Sequence, residues 1–308
     1  MKIAIALGGN ALLRRNESMT AENQRSNIEL ACRAIARLGE RHQLILSHGN
    51  GPQIGLLSLQ ADAYADKLAP YPFDILGAET QGMIGYLFAQ ELRNAMPSSE
   101  IAAVLTQVEV DENDPALKNP TKFIGPVYTR EVAEIIAQEK GWTIKPDGQY
   151  YRRVVPSPRP KSILEIASIR ALVDTGTVVV ACGGGGIPVT IKDSMGKGLE
   201  AVIDKDLCCG LLADELDADL LILATDVKCV FIDFGTPEAK AIQAANPKAL
   251  AALSFSAGSM GPKIEATCEF ALKTGNRAMI GALDDIERMV AGYAGTTISN
   301  DVDGIIFY

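Results

Sequence analysis

The sequence predicts an α/β fold: a largely parallel sheet with helices covering its faces. Three observations predict it. Short, branched apolar runs of strand length recur along the chain, stretches with helical spacing lie between them, and glycine clusters stand where strands should end. Runs without polar alternation are those of strands buried on both faces, as parallel sheets require. In such folds ligands sit beyond the carboxyl ends of the strands, where the first and second glycine clusters fall.

Residues 3–7 form a first strand that closes on Gly8-Gly9-Asn10. Ile28, Ala31, Cys32, Ile35 and Leu38 then recur at helical spacing. Residues 43–47 form a second strand, closing on His48 and Gly49-Asn50-Gly51, and residues 102–106 a third. The rhythm breaks over residues 125–160, which hold Pro126, Pro146, Pro156, Pro158, Pro160 and the only tryptophan, Trp142. Within it residues 145–148 read as a turn and 152–155 as a strand, so this segment is expected to be a small inserted subdomain or lid. Residues 177–181 form a strand that runs into Cys182 and the glycines 183–186, and Gly196 and Gly198 lie beyond them. Asp204-Lys205-Asp206 opens a helix over 207–216, and the buried strand 220–224 leads into Thr225-Asp226-Val227. The Gly258-Ser259-Met260-Gly261 cluster precedes a helix with Ile264, Cys268, Ala271 and Leu272 on one side, Pro262 in its first turn and Gly275 past its end. Residues 278–281 form a further strand. Two glycine clusters in each half suggest a two-lobed site, one lobe for each ligand.

At 308 residues, 47% hydrophobic and 22% charged, the chain can bury a substantial core. A formal net charge of −9 argues against nucleic acid or an anionic membrane as the main partner. The six cysteines show no CxxC pair and two histidines make a zinc site improbable, so reduced, buried thiols and a cytoplasmic location are expected. No stretch reaches the roughly 18 apolar residues of a membrane span, and no signal peptide pattern opens the chain.

The glycine loops suit phosphate. Glycine lets backbone N–H groups approach a ligand, and helix N-termini add partial positive charge. Neither G-x-G-x-x-G nor G-x-x-x-x-G-K-[ST] is present. Lys122, Lys205 and Lys263 supply the cations that phosphoryl transfer needs, since that chemistry rests on positioning and charge stabilisation and requires no histidine base. Asp204 and Asp206 either hold Mg²⁺ or orient the lysines, with a helix N-terminal role as the plain alternative. Asp226 is either a catalytic carboxylate at a strand end or the N-cap of the next segment. His48 reads as structural or orienting, and Cys182, Cys208 and Cys209 as small buried hydrophobes. Arg152, Arg153 and Arg159 either face the cleft or solvate the inserted segment.

The ordered motifs LGGNAL, AENQ, SHGNGPQIG, GAETQGMIGY, LTQVEVD, DPALKNPTKFIGPVYT, YRRVVPSPRP, GGGGIPV, EAVIDKD and GSMGPKIEA closely resemble those of the carbamate kinases, within the amino-acid kinase superfamily, over essentially the whole chain. The resemblance implies a three-layer αβα sandwich with a mainly parallel central sheet and a protruding subdomain, working as a homodimer. It implies an N-terminal lobe over about residues 1–180 for carbamate or carbamoyl phosphate, and a C-terminal lobe over about 181–308 for ADP or ATP with Mg²⁺. Catalytic roles pass to Lys122, Lys205, Asp206 and Lys263. Substrate phosphate binding passes to Gly8, Gly9, Asn10, Gly49, Asn50 and Gly51. Nucleotide binding passes to Gly184, Gly185, Lys205, Asp226, Gly258, Met260, Gly261 and Lys263, with Mg²⁺ carried on the nucleotide phosphates and no direct protein ligand assigned. Ala6 stands where many members of the superfamily carry a lysine, and Lys122 of the PTK motif would supply that charge. Phe123 replaces a proline of the pattern, and Cys208-Cys209 replaces small residues. The rivals are a sister kinase for a larger acid and a nucleotide- or anion-binding regulatory protein. Against the first, residues 54–92 hold no arginine to clamp a second carboxylate.

Overall fold

The computed structural model describes residues 1–14, 17–256 and 258–308. A ten-stranded sheet forms its centre. Strand Lys2–Leu7 lies in the middle, parallel to Gln43–His48 on one side and Leu220–Thr225 on the other. Val178–Val180 and Ile101–Ala103 extend the sheet beyond Gln43–His48, and Arg277–Ala282 continues it beyond Leu220–Thr225. The pairing turns partly antiparallel only toward the edge built from Val230–Ile232, Lys240–Ala245, Thr296–Ile298 and Ile305–Phe307. Both halves of the chain thus share one sheet.

Successive residues of the first strand point to opposite faces and meet different helices. Ile3, Ile5 and Leu7 pack with Ile28, Ile35, Ile84 and Phe88, from helices Ala21–Gly39 and Phe73–Ala95. Ala4 and Ala6 pack with Cys209, Ala213, Ile264 and Phe270, from helices Lys205–Glu215 and Met260–Thr274. The small alanines let those helices approach closely. The result is the expected three-layer αβα sandwich. Gly275 closes the Met260–Thr274 helix with φ 77°, the left-handed conformation expected just past a helix end.

Two small sheets flank the sandwich. One orders Met195–Gly198, Ile187–Lys192, Gln107–Val110 and Pro160–Ile163. The other pairs Lys122–Tyr128 with Tyr150–Val155 and Thr143–Asp147, and joins helix Arg130–Lys140 to form the substance of the inserted segment. Among the described residues no helix is long and apolar enough to cross a membrane.

Two expectations are corrected. The strand expected at 102–106 ends at Ala103 and a new one starts at Gln107 in a different sheet. At Thr106 the Gln81 side chain takes the N–H, which donates to its Oε1 at 2.8 Å, and shares the carbonyl, which accepts from Gln81 Nε2 at 3.1 Å and from the Ile187 N–H at 2.8 Å. The turn expected at 145–148 begins later, because Thr143–Asp147 is an edge strand, where Pro146 leaves no central ladder bond unmade. The chain reverses at Gly148, with φ 63°.

Candidate active site

Leu7 and His48 lie side by side in register, so the loops beyond them emerge together at one end of the sheet. The Gly8 N–H donates to the Ala224 carbonyl at 3.1 Å and the Gly49 N–H to the Leu7 carbonyl at 3.2 Å. The first loop is a short 3₁₀ turn over Gly9–Ala11, which contains Asn10. The second leads into helix Gly51–Ala63, with Asn50 at its N-cap. The Asn50 side chain does not cap the helix; its Nδ2 donates to Thr80 Oγ1 at 2.9 Å. A Cβ on Gly49 would lie 3.4 Å from the Lys205 side chain and 3.9 Å from the Gly9 nitrogen. Both loops and one lysine therefore meet at a single place.

Asp206 is the centre of the charge cluster. Its Oδ1 accepts from Lys205 Nζ and its Oδ2 from Lys263 Nζ, each at 2.7 Å. All three side chains are largely buried, at 6% exposure for Asp206, 12% for Lys205 and 13% for Lys263. Asp204 works on two fronts. Its Oδ1 caps helix Lys205–Glu215 by accepting from the Asp206 N–H at 2.9 Å, and its Oδ2 accepts from Lys122 Nζ. Three ammoniums against two carboxylates leave one surplus positive charge, at the mouth of loops rich in backbone donors. Such a surplus attracts an anion.

Titration reflects this packing. Burial would raise the Asp206 carboxyl, but the Lys205 and Lys263 ammoniums override it and hold it well below the usual carboxylate range. Burial likewise opposes, and Lys122 reverses, the shift of Asp204, which ends lowered. Burial works against the Lys205 ammonium too, yet Asp206 leaves it raised. Lys263 is lowered, by burial first and by Lys205 next, against the pull of Asp206.

His48 is buried, stacks on Phe88 with ring centroids 5.7 Å apart, and donates from Nδ1 to the Gly49 carbonyl at 2.9 Å. Burial, with Lys205 as a smaller repulsion, pushes its pKa down to about 4. It stays neutral and orients the loop, as its sequence position suggests.

The other expected residues fall in three groups. Gly258, Met260 and Gly261 stand at the start of helix Met260–Thr274, where the Gly261 N–H donates to the Ser256 carbonyl at 2.8 Å and Lys263 occupies the first turn. The Phe123 ring lies against Gly258. Gly184 and Gly185 are buried behind the second loop: a Cβ on Gly184 would lie 2.2 Å from Asn50 Nδ2, and one on Gly185 2.4 Å from the Ile203 carbonyl oxygen. Asp226 comes just after its strand on the surface, where Thr225 Oγ1 donates to it at 3.2 Å. It lines, with Gly8, Arg14, Asn27 and Asp284, a cavity of about 450 Å³ beside helix Ala21–Gly39 whose lining includes none of the three lysines.

The arginines left open by sequence are all engaged. Arg159 forks onto Glu265 and Glu269 of helix Met260–Thr274, Arg152 Nε donates to the Gly125 carbonyl at 2.7 Å, and Arg153 stacks on Trp142 at 4.2 Å while donating to Ser58. The hold of Thr80 on Asn50 and that of Gln81 on Thr106 were not foreseen. GAETQG was visible as a motif, but only packing shows which loop each of its polar residues supports.

The chain matches the Amino acid kinase family over residues 1–282. It is 56% identical over 310 residues to the carbamate kinase of Haemophilus influenzae, with all of both chains covered. Among solved structures it is similar to the carbamate kinase of Giardia lamblia bound to citric acid, with TM-score 0.91 and 36% identity over 97% of this chain and 98% of that one. The same Giardia enzyme bound to AMP-PNP gives TM-score 0.88 and 36% identity over 97% of this chain and 98% of that one. By sequence over its full length and by fold, the chain belongs to the carbamate kinases of the amino acid kinase family.

Proposed function

We propose that the protein transfers a phosphoryl group between carbamoyl phosphate and ADP, giving ATP and carbamate. The observation that carries this reading is the convergence of Lys205 and Lys263 on Asp206, with Lys122 on neighbouring Asp204, beside two glycine loops. The loops at Gly8-Gly9-Asn10 and Gly49-Asn50-Gly51 would hold carbamoyl phosphate, with Lys122 nearest that substrate. Lys263 and the Gly258–Gly261 segment would hold the nucleotide, and the Giardia relative's complex with AMP-PNP supports a nucleotide site in this fold. Asp226 would meet the nucleotide from the end of its strand. Gly184 and Gly185 we assign to support of Asn50 and its loop.

A terminal phosphate oxygen of ADP attacks the phosphorus of carbamoyl phosphate in line. The bond from phosphorus to the carbamoyl oxygen breaks, and carbamate leaves with the electron pair. Lys205 and Lys263 neutralise the charge spread over the transferred oxygens. Asp206 holds both ammoniums in place before substrate arrives. Among the described residues no three His, Cys, Asp or Glu side chains are disposed to hold a metal ion. Asp204 and Asp206 are engaged by lysines, so Mg²⁺ fits best on the nucleotide's own phosphates, where it would offset part of their charge. Carbamoyl phosphate is a mixed anhydride, and its supply drives the reaction toward ATP. A homodimer is part of the same proposal; Ile75, Met83 and Tyr86 give helix Phe73–Ala95 an exposed apolar stripe suited to a second copy.

The test is ATP formation from carbamoyl phosphate, ADP and Mg²⁺, with Lys263→Ala beside the intact protein. Turnover that falls by roughly 10²–10³ in the variant supports the proposal. A folded protein that binds ADP and makes no ATP refutes it in favour of a binding role.

A further inference from the structure

Lys122 opens strand Lys122–Tyr128, which leads into the inserted segment, and this strand rests on helix Gly51–Ala63 through a contact between two backbones. A Cβ built on Gly55 would lie 2.2 Å from the Cα and 2.3 Å from the nitrogen of Gly125. No side chain lies between them to give way. Gly125 has φ 68°, and the register of its strand against Tyr150–Val155 shifts between Ile124 and Val127. This is a bulge, which bends its strand locally. Arg152 Nε pins the bulge by donating to the Gly125 carbonyl at 2.7 Å. Ile124 and Ile54, the neighbours of the two glycines, are both 1% exposed and share a small core with Phe73, Leu76, Val155 and Val202.

The helix on which the strand rests begins at the second glycine loop. Gly51 and Gly55 stand one helical turn apart, and Lys122 stands three residues before Gly125. The seat therefore joins the anion loop to the one lysine of the cluster that does not lie on or beside the large sheet's own helices.

We propose that Gly55 is a positioning residue for Lys122: the Gly55–Gly125 seat, pinned by Arg152, sets where the Lys122 ammonium stands relative to Asp204 and the second glycine loop. The catalytic part of this inference rests on the function proposed above. Any side chain at residue 55 lifts the strand, because the obstructing atoms belong to backbone. Lys122 moves with it, while the Asp206 cluster, carried by other elements, stays in place.

The experiment compares ATP formation by the intact protein, Gly55→Ala, Lys122→Ala and the double variant, varying carbamoyl phosphate and ADP separately. Misplacement on the ångström scale predicts a loss of roughly 10²-fold in kcat/KM for carbamoyl phosphate in Gly55→Ala. The KM for ADP stays within about twofold, and the double variant falls no more than about twofold below Lys122→Ala, since both changes act on one group. Losses that multiply, or a Gly55→Ala variant as fast as the intact protein, overturn the proposal. Should Gly55→Ala not fold, Arg152→Ala combined with Lys122→Ala decides by the same rule. A crystal structure of the folded variant adds a readout free of turnover: Lys122 displaced from Asp204 supports the seat, and an unmoved strand refutes it. An intact protein that makes no ATP sinks the proposed function and leaves the seat to be judged on that structure.

Discussion

Replacing Asp206 with Asn keeps the shape of the side chain and removes its charge. In the native protein each carboxylate oxygen holds one ammonium at 2.7 Å. An amide offers one acceptor, so one lysine keeps a partner and the other faces an N–H₂ donor. Both lysines are only 12–13% exposed and cannot turn fully to water. Removing one partner of a buried ion pair costs about 3–5 kcal/mol. The cleft is open enough for partial hydration, so the lower end applies. Each kcal/mol moves the melting temperature of a 308-residue protein by about 1.5 °C, which predicts a fall of roughly 5 °C. The sign with pH is definite. Asp206 is lowered in the folded state, so its stabilisation is full above about pH 4 and is lost as the pH falls toward the folded value. The gap between intact protein and variant is therefore wide at neutral pH and closes in acid. Sulfate should restore part of the loss by binding beside the unpaired ammonium. Thermal melts by circular dichroism, across pH and with and without sulfate, measure each effect. A variant melting within about 2 °C of the intact protein at neutral pH would refute the account of Asp206 as the organiser of the cluster.

Burial and packing predict further effects. His48 has a folded pKa of about 4 against about 6.5 unfolded, so stability should fall by roughly 3 kcal/mol as the pH drops through that window. Urea titrations should show this acid loss shrinking in His48→Phe, and the activity profile of the intact protein should carry no His48 step near neutrality. Gly184→Ala places a Cβ 2.2 Å from Asn50 in a backbone of φ 67°, and should lower stability by about 1–3 kcal/mol while weakening turnover through the displaced loop. Gly82→Ala, in the middle of helix Phe73–Ala95 with open space around it within one subunit, should instead raise the stability of that subunit by about 0.5–1 kcal/mol. Parallel chemical denaturation of the two variants tests both signs.

The large sheet was legible because its strands announce themselves twice, by apolar runs and by the glycines that end them. Residues 3–7 and 220–224 needed no further information. The stretch 102–106 misled because Val104 and Leu105 prolong an apolar run up to Thr106, whose N–H turns to the Gln81 side chain. Nothing local marks that exchange, since Gln81 lies 25 residues away. Residues 145–148 carry turn chemistry, but an edge strand tolerates proline and the reversal waited for Gly148. In the site, the lysines and Asp206 were legible as an inventory of charge. Their pairing was not: that Asp206 takes two lysines and Asp204 the third depends on the helix cap at Asp204, which leaves one oxygen of that carboxylate for Lys122. The glycines 183–186 looked like another ligand loop. Their demand for space comes from His48, Asn50, Ile203 and Val108, side chains and backbone of the protein itself.

The place of strand Lys2–Leu7 in the sheet has a consequence for biosynthesis. It is translated before the other strands of this sheet and can pair early with Gln43–His48, but its other edge belongs to Leu220–Thr225. The Lys2 amide and its Asp219 partner are 217 residues apart in the chain. Until that much more has been translated, a strand apolar from Ile3 to Leu7 keeps an open row of backbone donors and acceptors. Such an edge invites pairing with other chains and delays folding until distant contacts can close. The first glycine loop is equally late, since Gly8 is fixed only when Ala224 arrives to accept its N–H. A nascent chain stalled before residue 220 thus carries both glycine-loop sequences without the sheet that brings them together, and is a better substrate for chaperones than it is a folded protein.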